Sequence, residues 1–374
     1  MNKSNIKWLA VIDPIPFRGG SKVASAALLE QLESRDVKVE VYTRNPEFWV
    51  STPYVTHPLY EIKALESAEQ GIPYFLKHAL LSLQIILRLW LRKRASALVG
   101  ISGPGVDLSV YWSAKILRTD AFQLVHGPVA NSRTIRKNFS RAKLVACLQS
   151  ELETVKPIFV GDQAAREFKF MPMLNGIPDA VWPAKSHNRF VTPSLFWAAS
   201  LLKWKGLDLF LSAEVALRRE KPATKTVICY IQPTGTQQAM SRLPTAYENR
   251  AVYENPTHLN LLRADCNIFV STSHSEPFGL SILEALAAGL CVVIPSDGAY
   301  WDKQLEHNIN CIKYRPNDSD DLTQALRDLT NNMAHAQAIA ARGQIVAERY
   351  HASTQYRAIV QRIHNLIHPL ASNA

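Results

Sequence analysis

Cysteines are few in this sequence, and their spacing excludes a disulfide framework and a zinc site. Only five of the 374 residues are cysteine, an odd number. They are widely spaced, mostly inside apolar runs such as TVICYI and LCVVIP: Cys147, Cys229, Cys266, Cys291 and Cys311. Disulfide frameworks and zinc sites use closer, paired spacings. The pattern therefore predicts buried free thiols in a reducing compartment.

Internal repeats and low-complexity tracts are lacking too, and a secretory leader is not expected. The first residues, MNKSNIKWLAVID, have too short an apolar run for a signal peptide and no small-residue cleavage site. Hydrophobic residues make up 47% and charged residues 20%, which is typical of globular proteins. At about 150 residues per domain the length predicts two domains. We expect a folded, cytoplasmic protein.

Acidic residues are outnumbered by basic ones. The chain has 42 Lys and Arg against 32 Asp and Glu, a formal net charge of +10. A basic surface attracts phosphorylated substrates, anionic lipids or nucleic acid. Helix-turn-helix, zinc-finger and RNP-like aromatic patterns are lacking, so no nucleic-acid partner is predicted. The charge alone does not choose between phosphorylated substrates and anionic lipids.

Short apolar runs alternate with helical patterns along the chain. The first run, IKWLAVID, precedes the loop PIPFRGG and a helix for which Ser21 is the predicted N-cap. Further strand-like runs are VKVEVYT, SALVGIS, AFQLVH, KLVACL and FKFMPML, and, after a loop-like break at 175–188, PSLFWAAS, TVICYI, CNIFVSTS and LCVVIPS. This alternation predicts an α/β protein of two doubly wound Rossmann-like domains that face each other across a cleft. Ligands of such folds bind at the carboxyl ends of the strands.

The segment 75–94, FLKHALLSLQIILRLWLRKR, is apolar on most of its surface. Lys77, Gln84, Arg88 and Arg92 form a polar stripe at helical spacing. The apolar stretch is interrupted and shorter than the roughly 20 residues that span a bilayer. We expect a helix packed under the first sheet, in preference to one that docks at a membrane interface.

The sequence STSHSEPFGLSILEALAAG, at 271–289, predicts an anion site. It follows an apolar strand and leads into a helix, so EPFGL is a strand-to-helix turn whose amides attract anions. Glu276 and Glu284 stand eight residues apart, one in the turn and one about two helical turns later. Carboxylates accept hydrogen bonds well from sugar and ribose hydroxyls. These features together predict a pocket for a sugar, a diphosphate and a ribose.

This spacing, E-P-F-G-L-S-I-L-E-A, resembles the two-glutamate motif of the group 1 retaining glycosyltransferases, which have the GT-B fold. The resemblance implies that Glu276 contacts the hydroxyls of the donor sugar and that Glu284 accepts from the ribose. It also implies that the turn between them holds the diphosphate: Pro277, Phe278, Gly279 and Leu280. The capped surface helix that the same pattern allows is the alternative.

The segment WAASLLKWKGLDLFLSA, at 197–213, resembles the strand, loop and helix of that family that carry a Lys-Gly pair. By this resemblance Lys205 neutralises charge on the leaving diphosphate. The family's arginine five residues earlier is replaced by Ser200, so Lys203 is the candidate for a second positive charge in the donor site. The alternative is a pair of solvated surface lysines.

Two features of the first half match the family more weakly. Gly19 and Gly20 resemble its N-terminal glycine loop, where a missing side chain lets the backbone approach the donor or the acceptor. His126, at the end of AFQLVH, resembles a histidine beside the donor sugar and would help to position the donor; a structural histidine is the alternative. Asn175-Gly176-Ile177 resembles the interdomain turn.

The resemblance also implies a division of labour. Residues 1–188 would form an acceptor-binding domain and residues 189–350 a nucleotide-sugar-binding domain, with 351–374 as a helix that crosses back to the first. A hexosyl unit would pass from a nucleoside-diphosphate sugar to a saccharide or lipid-linked acceptor, as in bacterial surface polysaccharide or lipopolysaccharide assembly. UDP, GDP and ADP donors remain alternatives. With the net charge of +10, such an acceptor also implies peripheral contact with an anionic inner membrane. The leaving phosphate oxygen would take the acceptor's proton, with attack on the same face as departure.

No metal or other cofactor is predicted. Asp318-Ser319-Asp320 imitates a metal-binding D-x-D motif, but its place before a helix predicts capping instead. No cluster of His, Cys or Asp has metal-ligand spacing. Two rival functions remain: a nucleotide-sugar epimerase on the same scaffold, and a non-catalytic module that binds anionic membrane or nucleic acid.

Overall fold

The computed structural model of the chain describes residues 6–33, 36–92, 95–159, 161, 163–186 and 190–368. By their internal contacts these fall into two compact units, and each is described by itself. The first comprises 1–176, 234–236 and 352–374, and the second comprises 177–233 and 237–351. Sequence analysis placed the domain boundaries at 188/189 and 350/351; the former lies outside the described residues.

The first unit is built on a seven-stranded parallel sheet in the order β3-β2-β1-β4-β5-β6-β7. Its strands are β1 Lys7–Asp13, β2 Val37–Thr43, β3 Val55–Pro58, β4 Ala97–Gly100, β5 Asp120–Val125, β6 Leu144–Leu148 and β7 Phe170–Met173. Its helices are α1 Gly20–Glu33, α2 Pro46–Trp49, α3 Gly71–Trp90, α4 Leu108–Leu117, α5 Arg133–Arg141, α6 Leu152–Val155 and α7 Gln163–Lys169, with α14 Ala352–Gln355 and α15 Arg357–Ile367 from the end of the chain. The end of the chain is fixed to α1 by the hydroxyl of Tyr356, which donates to the Ala24 carbonyl at 3.2 Å.

The second unit has six parallel strands in the order β10-β9-β8-β11-β12-β13. These are β8 Ser194–Ser200, β9 Lys225–Ile231, β10 Arg250–Glu254, β11 Ile268–Val270, β12 Cys291–Pro295 and β13 Ile312–Tyr314. Its helices are α8 Leu207–Glu220, α9 Leu259–Ala264, α10 Leu280–Ala287, α11 Tyr300–Gln304, α12 Ser319–Asn331 and α13 Met333–Ala347.

Both strand orders reverse direction beside the first strand of the unit, between β1 and β4 and between β8 and β11. Such a reversal opens a crevice at the carboxyl ends of the two strands, where ligands of this architecture bind. The predicted α/β class with two doubly wound Rossmann-like sheets is confirmed. All ten predicted strand runs form strands.

Several local predictions can be compared with the structure. The five cysteines are free and buried, as predicted. Asp318 caps α12, because its side chain accepts from the amides of Asp320 and Asp321 at 3.1 and 2.9 Å. The predicted N-cap Ser21 is wrong: α1 already begins at Gly20, and the Gly19 carbonyl accepts from the Val23 amide at 3.1 Å.

Candidate active site

In the second unit, an ion pair lies at the point where the strand order reverses. Lys205 follows β8, Glu276 follows β11, and the ammonium of Lys205 contacts the carboxylate of Glu276. Each side chain is 17% exposed, so the pair is shielded yet open to solvent on one side. The Lys205 ammonium also lies 4.0 Å from the centre of the Trp204 ring. The structure therefore brings together the two residues to which the sequence assigned the donor sugar and the leaving group.

The loop that carries Lys205 is fixed to the end of β11 by close backbone contacts. Thr272 donates its hydroxyl to the Lys205 carbonyl at 3.0 Å, and the His274 amide donates to the Trp204 carbonyl at 2.9 Å. Gly206 has φ +72°, and a Cβ on it would lie 2.1 Å from the Thr272 carbonyl oxygen. Only glycine allows this approach, because any side chain would meet backbone. The Lys-Gly pair thus has a structural reason for its glycine.

The turn before α10 also depends on a glycine. Gly279 has φ +78°, and a Cβ there would lie 3.0 Å from both the Glu276 and the Ile282 side chains. Its carbonyl accepts the first helical hydrogen bonds, from the amides of Ile282 and Leu283 at 3.1 and 3.3 Å. The amides of the turn itself precede this pattern, at the positive end of the helix dipole. The arrangement suits a diphosphate beside the Lys205–Glu276 pair.

An aromatic cluster holds this turn from behind. Phe278 is buried against the rings of Tyr300, Trp301 and Tyr350, with centroids 4.9, 5.5 and 6.1 Å away. The Trp301 indole donates to the Gly279 carbonyl at 3.2 Å. Phe278 therefore supports the turn by packing, and its predicted part in donor binding would fall to its backbone. Sequence analysis missed this role of Trp301.

Glu284 points to a partner that the sequence did not reveal. Its carboxylate pairs with Arg263, at the end of α9, whose side chain is buried and whose guanidinium also donates to Asn260 at 2.5 Å. Glu284 itself remains partly exposed. The pair fixes the direction of the Glu284 carboxylate, and its predicted role at a ribose stays a prediction. A lone arginine before a buried strand carries no pattern that indicates this contact.

Lys203 forms an ion pair with a carboxylate other than Glu276 or Glu284. Its ammonium pairs with Asp208 at 2.7 Å, and Asp208 also accepts from the Ser241 hydroxyl at 2.9 Å. Its predicted part in donor binding is not tested by these contacts.

Near Glu276, a small pocket contains two carboxylates that sequence analysis missed, Asp297 and Asp302. Asp297 accepts from the Ser275 and Ala299 amides at 2.8 and 3.0 Å, so it stabilises the loop.

The first unit places its predicted residues at the carboxyl ends of β1 and β5. Gly19 and Gly20 lie where the loop after β1 enters α1. A Cβ on Gly19 would find its nearest neighbour at 3.8 Å, so the chain's own packing does not require a glycine there. His126 follows β5, and its Nε2 lies 2.9 Å from the Ser25 hydroxyl of α1. Burial lowers the pKa of His126 to about 4, against the side chain of Asn175, so the ring is neutral at pH 7.

Among the described residues, no group of three or more His, Cys, Asp or Glu side chains is arranged to hold a metal ion. Apart from Lys203, which pairs with Asp208, the residues predicted to act in the second unit fall into two groups around α10. Lys205, Glu276 and the turn stand together at its start, and Glu284 lies on the helix itself. His126, Gly19 and Gly20 belong to the first unit.

Comparisons with known proteins agree with the motifs. Residues 186–345 match the family described as glycosyl transferases group 1, which confirms the predicted family over this part of the chain, whereas retention of configuration stays a prediction. Glycogen synthase of Mycobacterium tuberculosis is 30% identical over 186 residues, 46% of this chain and 43% of the relative. The match thus spans less than half the length of that relative.

Solved structures match over nearly the whole chain. Anabaena Alr3699/HepE in complex with UDP-glucose has a TM-score of 0.73 at 14% identity and covers 96% of this chain and 99% of its own. Sucrose-phosphate synthase from Thermosynechococcus elongatus has a TM-score of 0.71 at 15% identity, with 98% and 100% covered. At these identities the likeness shows the fold, which is GT-B.

Proposed function

We propose that this chain, which belongs through residues 186–345 to the group 1 glycosyl transferases, moves a hexosyl unit from a nucleoside-diphosphate sugar to an acceptor with retention of configuration. The observation that carries the proposal is the Lys205–Glu276 ion pair beside the start of α10. It unites a cation, a carboxylate and helix-terminal amides at the point where ligands of this fold bind.

Each part of this group has a task in the transfer. A diphosphate at the start of α10 would be a second anion for the Lys205 ammonium, which would stabilise the charge that grows as the glycosidic bond breaks. Glu276 would accept hydrogen bonds from the hydroxyls of the donor sugar. Glu284, oriented by Arg263, would accept from the ribose. The Anabaena relative was solved with UDP-glucose, which supports a donor of this class.

The retaining course is part of the same proposal. Glu276 is engaged by Lys205 and is assigned to the sugar hydroxyls, so we do not give it the task of a covalent nucleophile. The leaving phosphate oxygen would instead remove the acceptor's proton as the acceptor attacks the face from which it departs. His126, neutral at pH 7, would serve by hydrogen bonding and not as an acid.

The finer parts of the proposal concern the acceptor and the setting. We infer a saccharide or lipid-linked saccharide acceptor in bacterial surface polysaccharide or lipopolysaccharide assembly, no requirement for a metal ion, and a cytoplasmic enzyme in peripheral contact with the anionic inner membrane. The net charge of +10 supports this contact, because such acceptors and their membranes are anionic.

The first test is calorimetry of the chain with UDP, GDP, ADP and their common sugar conjugates, in EDTA. One nucleoside diphosphate should bind, and Glu284→Gln should weaken it on the order of tenfold, as expected for a lost hydrogen bond to a charged group. Against the 2′,3′-dideoxy nucleotide, the variant and the wild type should bind alike. An equal weakening with both nucleotides would show that Glu284 has no contact with the ribose.

Two other functions, epimerase and non-catalytic binding module, can be distinguished from a transferase by further assays. An epimerase would convert the nucleotide-sugar with no acceptor present, whereas a transferase would not. A non-catalytic module would bind anionic vesicles or nucleic acid, with a steep dependence on salt and with no turnover of any nucleotide-sugar.

A further inference from the structure

The outward side of α3 is apolar along its whole length. Positions 72, 76, 79, 83, 87 and 90 fall at intervals of three and four residues, so they form one line on the helix: Ile72, Leu76, Ala79, Leu83, Leu87 and Trp90. All six are exposed, with Ile72 at 83%, Leu83 at 53% and Trp90 at 76% of their full accessible surface. At 1.5 Å per residue the line is about 27 Å long. We call it the apolar line.

The polar side chains of α3 do not lie on its solvent-facing side, as they do on an ordinary surface helix. Its buried side packs on the core of the first unit, through His78, Leu81, Ser82, Ile85 and Leu89. The polar side chains occupy a flank between the two sides and bond to neighbouring loops. Lys77 donates to the Glu66 carbonyl at 2.8 Å, and Arg88 donates to the Pro58 carbonyl at 2.5 Å. The face that a soluble helix gives to water is therefore left to leucine and tryptophan.

The neighbouring helix α4 continues this surface. The ring of Trp112 stacks on Phe75 of α3, with centroids 6.2 Å apart and planes within 15°. One turn further, Ile116 is 63% exposed beside the exposed Lys115. Apolar patches of this extent on a folded unit mark surfaces that contact another apolar phase or partner.

The charged side chains of residues 70–92 and 108–117 are of one sign, and the acids that pair with them, Glu61 with Lys77 and Glu40 with Arg92, lie outside these segments. Residues 70–92 and 108–117 contain no Asp or Glu. Their cations are Lys77, Arg88, Arg92 and Lys115, and the Arg92 side chain is 54% exposed, 3.9 Å from Glu40 of β2. Trp90 and Leu91, both strongly exposed, stand between Arg88 and Arg92 at the end of the helix. An apolar face ended by tryptophan and arginine matches the boundary between lipid chains and anionic headgroups.

We propose that the apolar line of α3, with Ile116 of α4, lies flat in the headgroup region of an anionic bilayer. By length and composition α3 could also cross a membrane, but its buried side is committed to the core of the first unit, so it lies on the surface and does not span. The membrane contact proposed above is thereby assigned to one surface. The assignment does not depend on glycosyl transfer, because none of these residues belongs to the candidate active site.

Vesicle cosedimentation tests the assignment with the full chain. The wild type should bind vesicles of phosphatidylcholine and phosphatidylglycerol and should bind pure phosphatidylcholine more weakly. Leu83→Gln with Leu87→Gln should lower binding at least tenfold, because two leucines leave the lipid. Leu261→Gln, at a leucine of α9 that is 63% exposed, is the matched control and should bind as the wild type does.

The position of Trp90 supplies a second, independent readout. Lipids brominated near the headgroup should quench part of the tryptophan fluorescence of the wild type. Trp90→Leu keeps the face apolar and should retain binding while that quenched part disappears. Unchanged thermal unfolding and nucleotide binding in all variants would show that they are folded.

Three results would overturn the assignment. The wild type could fail to bind anionic vesicles, the double leucine variant could bind as well as Leu261→Gln, or Leu83→Gln with Leu87→Gln could abolish a dimer seen without lipid. The last would give the surface to a second copy of the chain. Vesicle binding without any nucleotide binding would refute the transferase and leave the assignment standing.

Discussion

Each unit places a lysine–carboxylate pair where its strand order reverses, and the two pairs differ in exposure. In the first unit Lys22 pairs with Asp13, the last residue of β1, at 2.9 Å, with side chains 3% and 0% exposed. In the second unit Lys205 and Glu276 are each 17% exposed. A buried pair can stabilise only the fold, whereas a partly exposed pair is accessible to a ligand.

The contacts of Asp13 and Lys22 agree with that division. Asp13 Oδ2 also accepts from the Thr43 hydroxyl at 2.7 Å and the Trp49 indole at 2.9 Å. Lys22 donates to the Ile15 carbonyl at 2.8 Å, which fixes the loop before Gly19. Burial lowers the pKa of Lys22, although Asp13 opposes the shift. The first unit uses its pair to shape a loop, and the second unit leaves its pair accessible to the donor that we propose.

The largest expected effects come from removing one lysine at a time. Lys22→Met leaves Asp13 buried without its cation and should lower the free energy of unfolding by about 3–5 kcal/mol. Lys205→Met leaves Glu276 partly solvated, so it should cost little stability but lower kcat on the order of 10²–10³-fold. Urea unfolding and transfer kinetics measure the two.

The control for the second substitution is Lys225→Met, at an exposed lysine that begins β9 at the opposite end of the sheet. It should leave both measurements unchanged. If Lys205→Met kept normal kcat, or if Lys22→Met unfolded no more easily than Lys225→Met, the division between a structural pair and a ligand-facing pair would be wrong.

A smaller effect is expected from adding one methyl group to a glycine in each unit. In Gly206→Ala the new Cβ would lie 2.1 Å from the Thr272 carbonyl oxygen, at a φ of +72° that favours glycine. The substitution should lower the free energy of unfolding by about 2–4 kcal/mol. Gly19→Ala meets nothing nearer than 3.8 Å and should change stability by less than about 0.5 kcal/mol. Urea unfolding of the two variants is the measurement.

Transfer kinetics of Gly19→Ala test whether Gly19 belongs to the predicted site. If its missing side chain admits donor or acceptor, Gly19→Ala should raise KM severalfold although the fold is intact. Normal KM and kcat in that variant would remove Gly19 from the predicted site.

The sequence predicted the central parts of both sheets and missed three outer strands. Continuous apolar runs such as AFQLV and CVVIP are buried on both faces, so composition alone identifies them. The missed strands, β3, β10 and β13, all lie at sheet edges, and β3 and β10 are short and largely half-exposed. An edge strand buries less apolar surface, so its sequence carries less of the pattern.

The candidate site shows the same limit. Local motifs predicted Glu276, Lys205 and the turn, because strand, loop and helix are contiguous in the sequence there. Arg263 lies 21 residues from Glu284 and Trp301 lies 22 residues from Gly279, and each is brought to its partner by the order of the strands. Contacts made by tertiary packing leave no fixed spacing to find. That the polar side chains of α3 do not lie on its solvent-facing side was likewise missed, since one helix does not reveal which of its faces meets the core.

The smallest expected effects are those of pH, and they have opposite signs in the two units. Burial lowers the pKa of His126 in the first unit to about 4, below the value of about 6.5 in an unfolded chain. Protons therefore favour unfolding as pH falls from about 6.5 to about 4. In the second unit, burial lowers the pKa of His351, but Asp179 at 2.5 Å and Glu348 at 3.3 Å raise it by more. The pKa of His351 is therefore raised overall. Its stabilising charge is present below about pH 6.5 and is lost as pH rises through the raised value.

His126→Gln should therefore reduce the loss of stability as pH falls below 6.5, by about 2 kcal/mol at pH 5. His351→Gln should lower stability at pH 5 more than at pH 8, by a smaller amount, because the ring is partly exposed. Urea midpoints at pH 5 and 8 measure both. His78 is also buried neutral, with its pKa lowered by burial to about 3, and is unchanged in both variants, so it cancels in the comparison. If the two substitutions changed the pH dependence in the same direction, the contrast between a neutral histidine in the first unit and a charged one in the second would be refuted.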